Sequence, residues 1–120
     1  MIRTVDLVIA GDGRAARAAA ADALKSGRRV LVVLRSTDTR EARRLRRTVL
    51  QAAGSDGDQL RIMMNTEIVC ADGVDGVEAV VLRHATTGRL SAVNASAFVS
   101  FDASSAMHIV TVEVVNRNVR

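Results

Sequence analysis

The sequence predicts an α/β fold in which a parallel βαβαβ unit is followed by an antiparallel β-meander and an extra C-terminal strand. Apolar strand-like runs alternate with helical stretches rich in Ala, Leu and Arg as far as Met64, and short β-branched runs with glycine turns follow. Alternating strands and helices are typical of parallel sheets, whereas successive short strands indicate hairpins. Because 120 residues suffice for one domain, we assign 1–120 to a single unit.

The first βαβ unit comprises three adjacent segments. Val5–Ala10 is apolar and rich in β-branched residues apart from Asp6, which is typical of a buried parallel strand. Arg14–Lys25 consists mostly of Ala, a strong helix former, and Gly27 provides a stop signal. Val30–Leu34 is entirely apolar and predicts a second buried strand.

The second helix is predicted to run from its cap at Asp38 to about Ala53. Glu41, three positions after Asp38, completes a capping-box pattern. A third short strand is predicted at Leu60–Met64, after the loop sequence GSDGD. The helix should bury an apolar stripe formed by Ala42, Leu45, Val49 and Ala52.

The meander is predicted from the segments TEIVCADG, VEAVVLRHATTG and RLSAVNASAFVSF. The turn signals between strands are Asp72-Gly73, Asp75-Gly76 and Thr87-Gly88. The apolar run Ala97–Phe101 is expected to return to the parallel sheet. The tail MHIVTVEVVNRNVR has strand composition, so we expect an edge strand or an arm that joins a homo-oligomer.

The composition favours some partners over others. The net charge of +4 suits anionic ligands, but two Phe with no Trp or Tyr disfavour nucleic-acid binding by base stacking. The single cysteine, Cys70, excludes an intrachain disulfide and is typical of a cytoplasmic protein. No apolar run approaches the roughly 20 residues that a membrane-spanning helix needs, so no membrane partner is expected.

A glycine turn joins the first strand to the first helix and carries the pattern G-x-G-x-x-A. The first glycine of this dinucleotide fingerprint permits a tight turn, the second lets the backbone approach a pyrophosphate, and the small third residue allows close packing. The helix N-terminus then offers N–H groups to phosphates. The alternative is that these small residues serve packing alone. The candidate binding residues of the turn are Gly11, Asp12, Gly13, Arg14, Ala15 and Ala16.

The residues after the second strand distinguish between dinucleotides. An acid there would bind the ribose hydroxyls of NAD or FAD, but the sequence has Arg35 and Ser36, followed by Arg40. A guanidinium can bind a 2′-phosphate through two hydrogen bonds. We therefore predict NADP(H) rather than NAD(H), with these three residues in the site, and the missing acid also argues against FAD.

Over Val5–Asp102 the chain resembles the NADPH-binding domain of low-molecular-weight thioredoxin reductases and related pyridine nucleotide disulfide oxidoreductases. The order of elements is similar, and VDGVEAVVLRHATTG at Val74–Gly88 is similar to the family segment V-x-G-V-x-L-x-x-x-x-T-G. The resemblance implies a Rossmann-like domain interrupted by a meander. It also implies a pyrophosphate at Gly11, Gly13 and Ala16.

The family motif for the 2′-phosphate, His-Arg-Arg followed three residues later by Arg, reads here as Leu34-Arg35-Ser36 and then Arg40. Two of its three arginines are thus present. The family's redox Cys-x-x-Cys and FAD domain have no counterpart in the sequence, so no catalytic residue is predicted. We expect at most an NADPH-dependent component of an oxidoreductase that serves a flavin-bearing partner chain. The alternative is a non-catalytic oligomerisation module with a vestigial nucleotide site. The serine at position 36, where the family motif has an arginine, favours this alternative.

The remaining motifs favour structural roles. His84 and His108 lie in different predicted strands without metal-site spacing, so no metal is expected. Cys70 is interpreted as a buried small hydrophobe rather than a nucleophile. The arginines of the second predicted helix are interpreted as a solvated face rather than a nucleic-acid patch. They are Arg40, Arg43, Arg44, Arg46 and Arg47.

Overall fold

A computed structural model describes residues 3–55, 57–73, 76–101, 109–110 and 114–115. The predicted order of strands and helices is confirmed. The elements are β1 (Arg3–Ala10), α1 (Arg14–Lys25), β2 (Val30–Val33), α2 (Thr39–Ala53), β3 (Leu60–Met63), β4 (Thr66–Asp72), β5 (Ala79–His84), β6 (Leu90–Phe101), β7 (Ile109–Val110) and β8 (Val114–Val115).

The described strands form one mixed sheet in the order β3-β2-β1-β6-β5-β4-β8, with β7 paired to β6. Strands β1, β2 and β3 are parallel, whereas β4, β5 and β6 form the antiparallel meander. The predicted return of Ala97–Phe101 to the parallel sheet is confirmed, because β6 pairs in parallel with β1 from Val93 to Ser100. This segment is the end of one continuous strand that begins in the meander.

The C-terminal strand is described only at β7 and β8, which pair with β6 and β4 of the same chain. Strand β8 lies at the edge of the sheet. The rest of the tail, including His108, lies outside the described residues, as do Asp75 of the predicted second turn and Asp102. Homo-oligomerisation through this tail stays a prediction.

The parallel strands are apolar on both faces and lie between two layers. One face packs against α1 and α2, the other against the meander. On the helix side the largest fully buried side chains are Ile9, Val30, Val32 and Val49. On the meander side they are Val8, Leu31, Val80 and Leu82.

A local irregularity at Asp6 fixes which side chains meet which layer. In a regular strand residues i and i+2 share a face, yet Val5 belongs to the meander-side cluster and Leu7 to the helix-side cluster. The backbone N–H groups of Asp6 and Leu7 both donate to the Arg29 carbonyl, at 2.9 and 3.1 Å, while the register of β1 with β6 continues unbroken past this point. The Asp6 carboxylate accepts from Arg29 N at 2.8 Å, which explains an acid within an apolar strand.

Helix α2 begins and ends at specific caps. The Asp38 side chain accepts from Arg40 N at 2.9 Å, so the predicted cap is confirmed. The helix ends at Gly54, whose left-handed conformation (φ 65°) glycine adopts without steric cost.

The predicted apolar stripe of α2 is wrong at Ala52, which is exposed. Val49 is buried, and Ala53, four residues on, packs against the helix-side cluster instead. Because successive helical residues are about 100° apart, Ala52 is rotated out of the buried arc that Val49 and Ala53 share.

Candidate functional site

A cleft of about 460 Å³ opens where β1, β2 and β6 end. Proteins of the α/β class most often bind ligands just outside the carboxyl ends of their parallel strands. The cleft is lined by Ala10, Gly11, Asp12, Val33, Leu34, Arg35, Ser36, Thr66, Glu67, Ile68, Val69, Phe98, Ser100 and Phe101.

Gly11 is a glycine that the fold itself requires. Its φ of 128° is a conformation that L side chains rarely adopt. A Cβ at this position would also lie 3.1 Å from the Phe101 carbonyl oxygen and 3.3 Å from Phe101 Cβ. Ala16, the third small residue of the fingerprint, is buried and lies 3.8 Å from the same point. Close packing thus accounts for these two positions without a ligand.

Gly13 is different, because nothing around it in the described structure requires glycine. Its φ of −73° suits any residue, and an added Cβ would meet no heavy atom within 4 Å. Gly13 caps α1 without a side-chain hydrogen bond, and the first turn of α1 carries no acid. The positive end of this helix therefore lacks a capping side-chain oxygen and an acid in its first turn, two groups that commonly compensate it.

The residues predicted after the second strand occupy different environments. Arg35 lines the cleft with its side chain 84% exposed, and its Nη2 atom lies 3.9 Å from Glu67 Oε2. Ser36 also lines the cleft, but its hydroxyl oxygen accepts a hydrogen bond from Asp38 N at 3.0 Å. Arg40 does not line the cleft, and its Nε contacts the Asp38 carboxylate at 3.5 Å.

The structure therefore brings only part of the predicted set together at the cleft. Gly11 and Asp12 of the turn meet Arg35 and Ser36 from the end of β2. The other predicted residues do not line the cleft, namely Gly13, Arg14, Ala15, Ala16 and Arg40.

Glu67 is a charged residue of the cleft that sequence reasoning missed. Arg83 lies directly opposite it on β5, and Arg83 Nε donates to Glu67 Oε1 at 2.7 Å. This hydrogen bond and the charges of Arg83 and Arg35 lower the pKa of Glu67, although partial burial acts in the opposite direction. The cleft thus holds a carboxylate that stays ionised at neutral pH. Only the register between β4 and β5 would have revealed the pair.

The apolar wall of the cleft was also missed. It combines Ile68 and Val69 of β4 with Phe98 and Phe101 of β6. The second pair was within reach of the sequence, because a strand that returns parallel to β1 must end at the same edge of the sheet. The first pair depends on how the meander folds over the parallel strands.

Other residues singled out in the sequence have structural partners. His84 Nδ1 accepts from Thr87 N at 3.2 Å within the turn after β5. Arg46 donates to the carbonyls of Leu60 and Gly57, at 3.2 and 3.3 Å, so it does not belong to the solvated face predicted for α2. Cys70 is half-buried rather than buried, next to a register shift between β4 and β5.

Two general features concern the described part of the chain only. It contains no cluster of three or more His, Cys, Asp or Glu side chains that could hold a metal ion. Neither of its helices has the length and apolarity needed to cross a bilayer.

Comparison with known proteins finds similarity in structure but not in sequence. The sequence matches no protein-family model, and no curated protein matches it. The fold is similar to thioredoxin reductase from Streptococcus pyogenes, with a TM-score of 0.62 and 17% identity over 85% of this chain and 32% of that one.

Two further structures have a similar fold. The Sdh1 complex of Mycobacterium smegmatis has a TM-score of 0.64 at 14% identity, over 82% of this chain and 34% of that one. The myxobacterial chondrochloren halogenase CndH, an FAD-dependent enzyme, has a TM-score of 0.61 at 13% identity, over 83% and 37%. The chain thus has a Rossmann-like fold that is found within these proteins, and it spans about a third of their length.

Proposed function

We propose that this chain is a nucleotide-binding module that binds NADP(H) across its glycine turn and the adjoining cleft. The observation that carries the proposal is Gly13, a position where neither the backbone nor the surroundings require glycine. A ligand that approaches the backbone closely would explain it, because a side chain there would occupy the space of a pyrophosphate. The similarity to thioredoxin reductase and an FAD-dependent halogenase supports a dinucleotide as the ligand class.

The start of α1 supports the placement of the pyrophosphate. Gly13 and Arg14 begin a helix whose first N–H groups have no side-chain acceptor at the cap and no acid in the first turn. Phosphate oxygens satisfy such N–H groups and interact favourably with the positive end of the helix dipole. Asp12 is exposed beside this turn, where its carboxylate can rotate away from the anion.

Arg35 supports NADP(H) over NAD(H) and FAD. Its guanidinium is exposed at the end of β2, where the ribose of a bound dinucleotide is held in this fold class, and it can bind a 2′-phosphate through two hydrogen bonds. The apolar wall of the cleft, Ile68 and Phe98 among its residues, suits the adenine ring. The Ser36 hydroxyl, whose oxygen accepts from Asp38 N, can still donate its proton to a phosphate, whereas Arg40 lies outside the cleft with its Nε at the Asp38 carboxylate.

A bound NADPH would supply hydride, and this chain would supply binding and orientation. We expect the hydride acceptor to belong to a flavin-bearing partner chain. We also expect the protein to work in the reducing cytoplasm, where Cys70 stays a thiol.

Calorimetric titration of the full chain with NADPH, NADH and FAD tests the proposal. We expect saturable binding of NADPH with clearly weaker binding of NADH and FAD. Gly13→Val should abolish binding, and Arg35→Ala should weaken NADPH by about ten- to a hundredfold, as loss of a charge-assisted contact predicts. Arg44→Ala removes an exposed arginine of α2 that does not line the cleft, so it should bind NADPH like the unaltered chain.

Other results would replace this assignment. Tighter binding of FAD than of NADPH would make the cleft a flavin site. Binding of none of the three nucleotides would leave the alternative of a structural or oligomerisation module. An unchanged NADPH affinity in Arg35→Ala would show that the 2′-phosphate contact is not made by this residue.

A further inference from the structure

Glu67 contacts two arginines that differ in distance and in exposure. Its Oε1 atom accepts from Arg83 Nε at 2.7 Å, while its Oε2 atom lies 3.9 Å from Arg35 Nη2. The Glu67 side chain is 25% exposed, the Arg83 side chain 49% and the Arg35 side chain 84%. The carboxylate is therefore fixed in the wall of the cleft by a close partner, whereas Arg35 can move away from it.

We propose that Glu67 is a specificity-determining residue that weakens the cleft's preference for a 2′-phosphorylated ribose by competing for Arg35. This inference rests on the proposed binding of NADP(H). A 2′-phosphate that engages Arg35 must come close to the Glu67 carboxylate. Both are anions, and their repulsion acts well within the screening length of about 8 Å in physiological salt.

An unphosphorylated ribose experiences no such repulsion. Its hydroxyl groups are neutral donors, and Glu67 lines the cleft with an Oε2 atom that has Arg35 Nη2 at 3.9 Å instead of the close hydrogen bond that Arg83 gives to Oε1. A carboxylate is the group that commonly accepts from ribose hydroxyls in this fold class. Glu67 thus penalises NADP(H) while it tolerates or favours NAD(H).

Arg83 acts through Glu67 and is a positioning residue. It engages one carboxylate oxygen and neutralises much of the negative charge that Arg35 and an incoming phosphate would meet. Without Arg83, Glu67 would be free to pair fully with Arg35. The two residues should therefore have opposite effects on the binding of a 2′-phosphate.

The experiment measures the affinity of the full chain for 2′,5′-ADP and for 5′-ADP, which differ only in the 2′-phosphate. Glu67→Gln keeps the shape of the side chain and removes its charge. It should tighten 2′,5′-ADP by roughly tenfold, as expected for one charge at ion-pair distance, without tightening 5′-ADP. Arg83→Gln should weaken 2′,5′-ADP, and the double variant should bind it like Glu67→Gln alone.

The outcomes separate this inference from the proposed function. If the unaltered chain binds 2′,5′-ADP but Glu67→Gln leaves the ratio of the two affinities unchanged, the role of Glu67 is overturned and nucleotide binding stands. If Arg83→Gln weakens 2′,5′-ADP equally in the Glu67→Gln background, Arg83 attracts the phosphate directly and the positioning role is overturned. If neither ligand binds to any variant, both proposals fail. Thermal unfolding of each variant confirms that it is folded.

Discussion

Two glycines of one turn differ in what constrains them. Gly11 has a positive φ and a backbone oxygen 3.1 Å from where its Cβ would be, whereas Gly13 has ordinary dihedral angles and open space. Gly11→Ala should therefore cost about 1–3 kcal/mol of stability through strain. Gly13→Ala should cost only a few tenths to about 1 kcal/mol, as at a helix N-cap. Urea denaturation measures both values, and equal losses would contradict this division of roles.

Asp6 makes the stability of the protein depend on pH. The hydrogen bond from Arg29 N lowers the pKa of the Asp6 carboxyl below its ordinary value of 3.8, and partial burial opposes this only in part. Because the folded pKa is lowered, the contribution of Asp6 is complete well above pH 3.8 and is lost as the pH falls through the folded pKa.

The variant Asp6→Asn isolates this contribution. The amide oxygen can still accept from Arg29 N but cannot ionise, so the variant should melt a few degrees lower than the unaltered chain at neutral pH. The difference between the two melting temperatures should shrink as the pH falls below 3.8. A difference that stays constant down to pH 2 would show that the charge of Asp6 does not contribute.

At the scale of elements, the cap of α2 should contribute measurably to stability. Asp38 accepts from Arg40 N at the start of a helix whose buried side chains, Leu45 and Val49, pack against the sheet. Asp38→Ala should cost about 1 kcal/mol, the usual value for loss of an N-cap side chain. Thr37→Ala, at the exposed neighbouring position, is the control and should leave the melting temperature unchanged. A loss of similar size in both variants would argue against the capping role.

The sequence predicted most elements because their signals are local. The Ala-rich composition of α1, the Asp38 cap and the alternation of apolar runs depend on residues that are neighbours in the chain. The irregularity at Asp6 could not be predicted, because it involves a carbonyl more than 20 residues away, that of Arg29. Glu67 was missed for the same reason, since its partner Arg83 is set by the register of two strands. The burial of Ala52 was predicted wrongly because the sequence shows the spacing of apolar residues on α2 but not which side of the helix the sheet covers.

At the scale of the whole molecule, β6 connects two parts that the sequence presents as separate. Its first half pairs with β5 in the meander, and its second half pairs in parallel with β1. The helix-side and meander-side clusters also lie on opposite faces of the same parallel strands, with Ile9 on one face and Val8 on the other. Neither the meander nor the helical layer can separate without exposing a face of β1. We therefore expect the molecule to unfold as one cooperative unit.

Leu82→Ala tests this cooperativity. Leu82 is fully buried on the meander side, so its truncation should cost about 2–5 kcal/mol. If the layers are coupled, native-state hydrogen exchange should show the same loss of protection for the slowest amides of α1 and α2 as for those of β5. Leu90→Ala, the same substitution at a side chain that is 60% exposed on β6, should change protection little in either layer. Helical amides that keep their original protection in Leu82→Ala would contradict this coupling. They would show that the parallel unit, including the part of β6 paired with β1, stays folded after β4 and β5 have opened.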